Sequence, residues 1–147
     1  MPPPLWLLRI YSSLHVFLYK LSSGRLGATT NGMPVLLLTT SGRRTGQSHT
    51  VPLVYMRDGT DYVVAPGVLE RPAWYLNLRT NFWATIQNGP SLMPVEARQA
   101  RGDERRRLWA RVPPYWHDYQ SSHRGEMPLM ILKAVDPYGS VAAGDIA

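Results

Sequence analysis

The sequence predicts a single α+β domain in which about six mostly antiparallel strands form a barrel-like sheet. Two turn signals, Asp58-Gly59 and Asn88-Gly89, each separate two short apolar segments, as expected for β-hairpins. Segments with helical spacing lie at the start, in the middle and in the last third of the chain. Strands joined by hairpins, with only a few helices, favour this class over a parallel sheet with alternating helices.

The composition limits the functions that are open to the chain. Its 147 residues include 16 Lys and Arg against 10 Asp and Glu, a formal charge of +6. This charge favours an anionic partner, which nucleic acid, anionic lipid and a phosphorylated or polycarboxylate cofactor all satisfy. The chain has no cysteine, so thiolate catalysis and cysteine-ligated metals are excluded. The four histidines show no paired metal-ligand spacing, and we expect no bound metal.

Residues 5–21 form a predicted amphipathic helix. Arg9 interrupts its apolar run, which is unlike a transmembrane span or the core of a signal peptide. We therefore expect residues 1–24 to be a helical extension that packs on the domain or lies on a membrane surface. The domain itself is predicted over residues 25–137, and residues 138–147 are predicted to be a flexible tail.

The first strand pair surrounds a turn that we call the basic turn, residues 41–47. A buried apolar run that begins at Pro34 leads into this turn, which holds two glycines and two arginines. A second strand leaves it and is predicted to reach Arg57, and a third returns over residues 61–65. Backbone N–H groups and guanidinium groups that converge at one end of a strand suit an anionic ligand.

The second half of the domain combines helices with a further hairpin. Pro72 suits the first turn of a helix, and Pro94 places its strand at an edge or a bulge. Asp103 favours a helix start, and Pro113-Pro114 ends that helix. The predicted elements are a helix at 72–79, strands at 83–87 and 93–98, helices at 102–111 and 115–122, and a buried strand at 127–132.

Arginines and aromatic residues are the candidates for ligand binding. Arg43, Arg44 and His49 lie in or near the basic turn. Five aromatic residues are clustered in two helical segments: Trp74, Tyr75, Tyr115, Trp116 and Tyr119. Such a set suits a flat aromatic cofactor with an anionic tail, although spacing alone favours aromatic side chains in the core and solvated arginines.

A second run of arginines, residues 98–111, is predicted to be a solvated helix face. Acidic residues are interleaved with these arginines, and no nucleic-acid-binding module accompanies them. We therefore expect no nucleic-acid partner. The chain also lacks a nucleophile elbow, a phosphate-binding glycine loop and a close pair of carboxylates.

Three ordered segments, Val35–Gln47, Val51–Tyr55 and Pro72–Leu78, resemble the deazaflavin-dependent nitroreductases of actinobacteria. The match covers roughly Tyr19 to Pro137. The resemblance implies a split β-barrel similar to flavin reductases and pyridoxamine-phosphate oxidases. It also implies hydride transfer from reduced coenzyme F420 to an electron-poor acceptor such as a quinone, nitro or enone compound. A cytoplasmic location, or a peripheral one on the inner face of the membrane, would follow, and such barrels often form homodimers.

The resemblance also assigns roles to residues. It implies that the cofactor contacts Arg43, Arg44, Thr45, Gly46, His49, Pro52, Leu53 and Trp74, the first three at the anionic tail. Tyr115 and Tyr119 are the candidate catalytic proton donors, and Trp116 and Tyr75 are the candidates for the acceptor pocket. FMN, or no cofactor at all, is the alternative to coenzyme F420.

The chain departs from the family pattern near this site. The loop of residues 65–71 is shorter than the family's loop, which begins Ala-Ser-x-Gly-Gly; it lacks that glycine pair and includes Glu70. His49 stands where an arginine is common. Trp116, which cannot act as an acid, occupies a position where the family has a tyrosine. These departures motivate the alternative of a non-catalytic or specialised protein that binds a flavin, a lipid or another hydrophobic anion on the same barrel.

Overall fold

The computed structural model describes residues 29–30 and 33–135, with side chains from Pro34 onwards. The predicted helix at 5–21 and the predicted tail at 138–147 lie outside the described residues. No helix within the described part of the chain is long and apolar enough to cross a membrane.

Eight strands form one sheet among the described residues, and the neighbouring strands pair antiparallel. In chain order the strands are β1 (Thr29–Thr30), β2 (Met33–Ser41), β3 (Ser48–Val54), β4 (Met56–Asp58), β5 (Asp61–Val64), β6 (Trp83–Asn88), β7 (Ser91–Gln99) and β8 (Met130–Ala134). The order across the sheet is β1-β2-β6-β7-β8-β5-β4, and β3 pairs with β2. The sheet curls into a half-barrel, as the predicted fold class requires.

Two of the predicted strands differ most from the observed ones. The predicted strand that reaches Arg57 divides at Tyr55, because β3 pairs with β2 whereas β4 pairs with β5. One straight strand cannot serve both partners, so the chain bends there. The last strand begins at Met130 rather than at Met127. Pro128 lies in the intervening segment, and it has no N–H group to donate to a neighbouring strand.

Three helices pack against this sheet. They are α1 (Ala73–Thr80), α2 (Gly102–Trp109) and α3 (Pro114–Tyr119), and a 3-10 turn, Gln120–Ser122, continues α3. Pro72 precedes the first residue of α1, and α3 begins with Pro114, so both helices start where a missing N–H group costs little. The three helices predicted after residue 71 are therefore confirmed, with α3 ending in a tighter turn.

The buried side chains form two main clusters. The first contains Trp74 and Tyr75 of α1 together with strand residues such as Leu38 and Ile86. The second lies under α2 and α3 and includes Leu108 and Trp116. Helix α3 is too short to be stable by itself. Its packing in the second cluster therefore fixes its position relative to the sheet.

Ion pairs tie α2 to the β4–β5 hairpin. Arg107 donates from Nη1 and Nη2 to the two carboxylate oxygens of Asp58, at 2.9 and 3.0 Å, and Arg111 adds an Nη1 contact of 2.8 Å. The hydrogen bond from Arg107 is the main reason that the pKa of Asp58 falls from 3.8 to about 2. Arg105 is held by Glu126 and lies over the ring of Trp109. Arg107 and Arg111 stay exposed, as predicted for a solvated arginine face, whereas the side chain of Arg105 is only 12% exposed and departs from that prediction.

Candidate cofactor and acceptor site

A pocket of about 160 Å³ lies between strand β3, the loop that follows β5, and helix α3. Its lining residues are Pro52, Leu53, Val54, Ala65, Gly67, Tyr115, Trp116 and Tyr119. We call this cavity the aromatic pocket. Five of the candidate residues predicted from the sequence are thus brought together, although they come from two segments about 60 residues apart.

Strand β3 forms one wall of the aromatic pocket. In the described residues β3 pairs only with β2, so its other backbone edge is free of strand partners. Pro52 is tolerated there because an edge strand does not need every N–H group for the ladder. Pro52 is exposed and Leu53 is half-buried against the first core cluster. The wall is therefore an apolar strand surface that a planar ring can cover.

Helix α3 forms the opposite wall. Trp116 is buried, with 3% of its surface exposed, and it anchors the helix in the core. Tyr115 and Tyr119 are four residues apart and lie on one face of the helix, with their rings edge to face at 5.7 Å. Neither hydroxyl has a hydrogen-bond partner within the described part of the chain. Two O–H groups are therefore available to a ligand in the pocket.

The basic turn lies at the other end of β3. Its shape is maintained by internal hydrogen bonds, from Gly42 N to Gln47 O (2.7 Å) and from Gly46 N to Gly42 O (2.8 Å). Gly46 has a φ of 74°, a left-handed conformation that favours glycine. A Cβ atom at Gly42 would lie 3.0 Å from His49 Nε2, which places the imidazole directly over the turn. The hydroxyl of Thr45 accepts a hydrogen bond from Gln47 N.

The two arginines of the basic turn have different surroundings. Arg43 donates from its backbone N and from Nη1 to Oδ1 of Asn77, both at 3.1 Å. Asn77 is buried in α1 and in turn donates from Nδ2 to Oγ1 of Thr40. Arg44 is exposed and has no hydrogen bond or ion pair to any described residue. The turn thus presents one held guanidinium group and one that remains available.

The geometry of β3 relates the two parts of the site. Ser48, at the end of the basic turn, and Pro52, in the aromatic pocket, are four residues apart along one strand, a distance of about 13 Å at the usual rise. An elongated ligand could place a ring in the pocket and an anionic end at the turn. A small anion alone could not contact both.

Trp74 and Tyr75 lie away from the aromatic pocket. Both are buried in the first core cluster, because the inward face of α1 packs on the sheet. The hydroxyl of Tyr75 donates to Gln99 Oε1 at 3.2 Å, and the ring lines a separate cavity of about 270 Å³ beside Arg79 and Glu70. The structure therefore gives these two aromatics contacts in the core, which is what their helical spacing alone favoured.

Sequence reasoning missed several residues that shape the site. Val54, Ala65 and Gly67 line the aromatic pocket, and Asn77 holds the basic turn. The alternation of side chains along β3 gives no separate signal for Val54. Asn77 is a polar residue in an apolar helical segment, and that contrast could have identified it as a buried hydrogen-bonding group.

These features define a class of protein. A curled antiparallel half-barrel sheet with three helices is the architecture of the split β-barrel proteins. A pyridoxamine 5'-phosphate oxidase-like structure from Listeria innocua shares this fold, with a TM-score of 0.52 and 13% identity over 69% of this chain and 84% of its own.

The chain belongs to the F420H2-dependent quinone reductase family, whose family model matches residues 11–134. A Mycobacterium tuberculosis protein that carries this reductase name is 38% identical over 74% of this chain and 98% of its own. A second F420H2-dependent quinone reductase from that species is 34% identical, over 81% and 87% of the respective chains. The solved structure of an F420-H2 dependent reductase, FDR-A, aligns with a TM-score of 0.61 and 28% identity, covering 68% of this chain and 94% of that one. The predicted resemblance is confirmed.

Proposed function

We propose that this protein is an F420H2-dependent reductase that transfers a hydride to a quinone or a similar electron-poor acceptor. Family membership supports the cofactor and the acceptor class. The observation that carries the proposal is the arrangement along β3, where an aromatic pocket and a basic turn lie about 13 Å apart along one strand. This separation suits a planar deazaflavin with an anionic tail.

The residues of the site fit this cofactor. Pro52 and Leu53 offer an apolar surface for the ring, and the tyrosines of α3 face them across the pocket. Arg44 would bind the anionic tail, with Thr45 and Gly46 shaping the turn around it. A guanidinium group forms its strongest hydrogen bonds with carboxylate and phosphate oxygens. Among the described residues no group of three or more His, Cys, Asp or Glu could hold a metal ion.

The protein supplies orientation and a proton. When bound, the reduced deazaflavin supplies the hydride. Conversion of a quinone to a hydroquinone requires that hydride and one proton, which the hydroxyl of Tyr115 or Tyr119 would donate to a quinone oxygen. Solvent then returns a proton to the phenolate. The buried indole of Trp116 closes the base of the pocket and excludes water from the reacting atoms.

Fluorescence titration with oxidised coenzyme F420 tests the binding step directly. We expect fluorescence quenching that saturates as the cofactor is added. In a separate assay, the protein should oxidise the reduced cofactor when a soluble quinone is present. The absence of quenching at saturating cofactor would remove the proposal. Quenching with coenzyme F420 but not with FMN would establish which of the two cofactors the site accepts.

Tyrosine variants test the proton donor. Replacing the acting tyrosine, Tyr115→Phe or Tyr119→Phe, should lower kcat by about 100-fold or more while the affinity for coenzyme F420 stays unchanged. Tyr75→Phe is the matched control, because its hydroxyl bonds to Gln99 outside the pocket, and its kcat should equal that of the wild type. If neither pocket variant changes kcat, proton donation by these tyrosines is excluded. Cofactor binding without any turnover would favour the non-catalytic alternative.

The location and assembly of the protein are further parts of this proposal. The apolar face of residues 5–21 supports peripheral attachment of a cytoplasmic protein to a membrane surface. Cosedimentation with anionic liposomes should fall when Trp6 and Phe17 are both replaced by serine. A homodimer is supported by a similar solved structure described as a domain-swapped dimer, which is 26% identical with a TM-score of 0.63. Light scattering of the full chain would show the mass of a dimer.

We also propose the domain boundaries expected from the sequence: a helical extension over residues 1–24, the barrel over 25–137 and a tail over 138–147. The family match, which spans residues 11–134, supports the placement of the barrel. Limited proteolysis should remove the tail first and leave the barrel intact.

A further inference from the structure

The loop of residues 65–71 has little structure of its own. It connects β5 to α1 and contains Pro66, Gly67 and four larger residues. Among the described residues, no backbone hydrogen bond outside the strands and helices begins or ends within residues 66–71. Ala65 and Gly67 nevertheless form a wall of the aromatic pocket. Contacts that involve side chains must therefore hold this wall in place.

Two contacts from the segment after α3 hold the loop. Nε2 of His123 donates to the carbonyl oxygen of Gly67 at 2.7 Å. The backbone N of Arg124 donates to Oε1 of Glu70 at 3.2 Å. The carboxylate of Glu70 thus serves as an anchor for the loop. His123 is half-buried and reaches across 56 positions of sequence, so its contact is a tertiary one.

The segment that carries His123 is itself well held. The backbone N of His123 donates to the carbonyl oxygen of Gln120 at 3.0 Å. The side-chain amide of Gln120 donates to the carbonyl oxygen of Gly125 and accepts a hydrogen bond from Met127 N at 2.8 Å. Met127 is fully buried in the second core cluster. His123 therefore links the loop, through Gln120, to the buried Met127.

The same loop lies beside the candidate proton donor, since Gly67 and Tyr119 line the same pocket. A Cβ atom at Gly67 would lie 3.9 Å from the ring of Tyr119, an ordinary van der Waals contact. Gly67 itself has a φ of 74°, which favours glycine at this bend. Tyr119, Gly67 and His123 thus form a continuous group, in which a shift of the loop changes the space beside the tyrosine.

We propose that His123 is a positioning residue, which holds the 65–71 wall of the aromatic pocket through its hydrogen bond to the Gly67 carbonyl. The consequence for ligands rests on the proposed function, whereas the consequence for the loop does not. The position of Gly67 should depend on this imidazole donor, while the contact of Glu70 with Arg124 N holds the end of the loop nearer to α1.

Three variants separate the donor from the rest of the side chain. His123→Gln places an amide N–H group close to the position of Nε2, whereas His123→Asn is one methylene too short to reach Gly67 O. His123→Ala has no donor. We expect the Ala and Asn variants to bind oxidised coenzyme F420 roughly threefold to tenfold more weakly, the range of a lost neutral hydrogen bond. KM for the quinone should rise by a similar factor, kcat should change by less than about twofold, and the Gln variant should match the wild type.

Cleavage of the loop by chymotrypsin after Leu69 provides a readout that needs no cofactor. Leu69 is 63% exposed, and release of the loop should increase the rate of cleavage there in the Ala and Asn variants and not in the Gln variant. Equal cleavage and affinity in all four proteins would overturn the inference. So would equal losses in all three variants accompanied by a lower melting temperature, because they would indicate a general role in folding. A wild type that fails to bind coenzyme F420 removes the proposed function, while the cleavage rates still decide the role of His123.

Discussion

The basic turn and the arginine-rich segment 98–111 use the same side chain in different ways. In the segment, five arginines form ion pairs with carboxylates: Arg98 with Glu104, Arg105 with Glu126, Arg106 with Asp103, and Arg107 and Arg111 with Asp58. In the basic turn, Arg43 is held by the neutral amide of Asn77, and Arg44 has no partner among the described residues. No ion pair links a described carboxylate to the turn.

This difference shows why the number of arginines is a poor guide to an anion site. Guanidinium groups already paired with carboxylates have exchanged water for a protein partner, and an incoming anion must compete with that partner. An amide positions Arg43 without neutralising it. The positive charge of the turn is therefore available to a ligand. The ion-paired arginines of the segment 98–111 are already neutralised by carboxylates and stabilise the fold around α2. The following substitutions test this comparison.

Asn77→Ala should have the largest effect on stability. The change removes three hydrogen bonds and leaves Thr40 Oγ1 and Arg43 N without their partner in a buried site. We expect the free energy of unfolding to fall by about 2–4 kcal/mol, measured by denaturant titration. Thr40→Val, which removes only one of these bonds, should cost about 1 kcal/mol. If the two variants lose the same free energy of unfolding, the contact between Asn77 and Arg43 contributes nothing to stability.

Arg44→Ala should weaken the binding of oxidised coenzyme F420 by about 1.5–3 kcal/mol, the usual range for a hydrogen bond to a charged group. Arg106→Ala is the matched control, because it removes the same charge from an exposed ion pair with Asp103 on α2. The control should bind as the wild type does. If both variants bind equally weakly, the effect is one of net charge, and the turn has no special role.

Asp58→Asn should lower the free energy of unfolding at pH 7 by about 1–2 kcal/mol, allowing for solvent screening of this partly exposed pair. The pKa of Asp58 is lowered in the folded state, from 3.8 to about 2, so its stabilisation is complete above the unfolded-state value. It is lost as the pH falls from about 4 to about 2. Unfolding curves of the variant and the wild type should converge in this window. Asp118→Asn, an exposed control without a side-chain partner in the described residues, should show no such convergence.

Arg98→Ala should have the smallest effect. Arg98 and Glu104 form a 2.8 Å pair, but their side chains are 48% and 33% exposed. Exposed pairs contribute little because solvent screens them, and we expect a change in unfolding free energy within about 0.5 kcal/mol. A loss as large as that of Asp58→Asn would show that the segment 98–111 acts as one coupled network.

Much of the local structure follows from the sequence. The Asp58-Gly59 and Asn88-Gly89 hairpins are both present, with left-handed glycines at φ values of 60° and 58°. Pro72 marks the start of α1. These features depend on the conformational preferences of a few adjacent residues, which is why a pattern can reveal them.

The site could be predicted only in part. Pro52, Leu53, Tyr115, Trp116 and Tyr119 meet in one pocket as expected. Trp74 and Tyr75 also lie in a segment with helical spacing. That spacing does not reveal whether the helix face that carries them packs on a sheet or lines a ligand pocket, and in the structure both residues lie in the first core cluster. The roles of His49, Thr45 and Gly46 towards the cofactor stay predictions.

By itself the sequence determined the hairpins, the helices and the charge of the basic turn, because each depends on residues that are close along the chain. Tertiary structure alone decided which strands meet outside the hairpins. β8 lies between β5 and β7, with Val63 opposite Ile131, and this closure brings α3 and the loop 65–71 to the same pocket. Tertiary structure also decided that Asp58 pairs with the arginines of α2 while Arg44 stays free of described partners. Contacts of this kind depend on packing between distant segments, which no local pattern records.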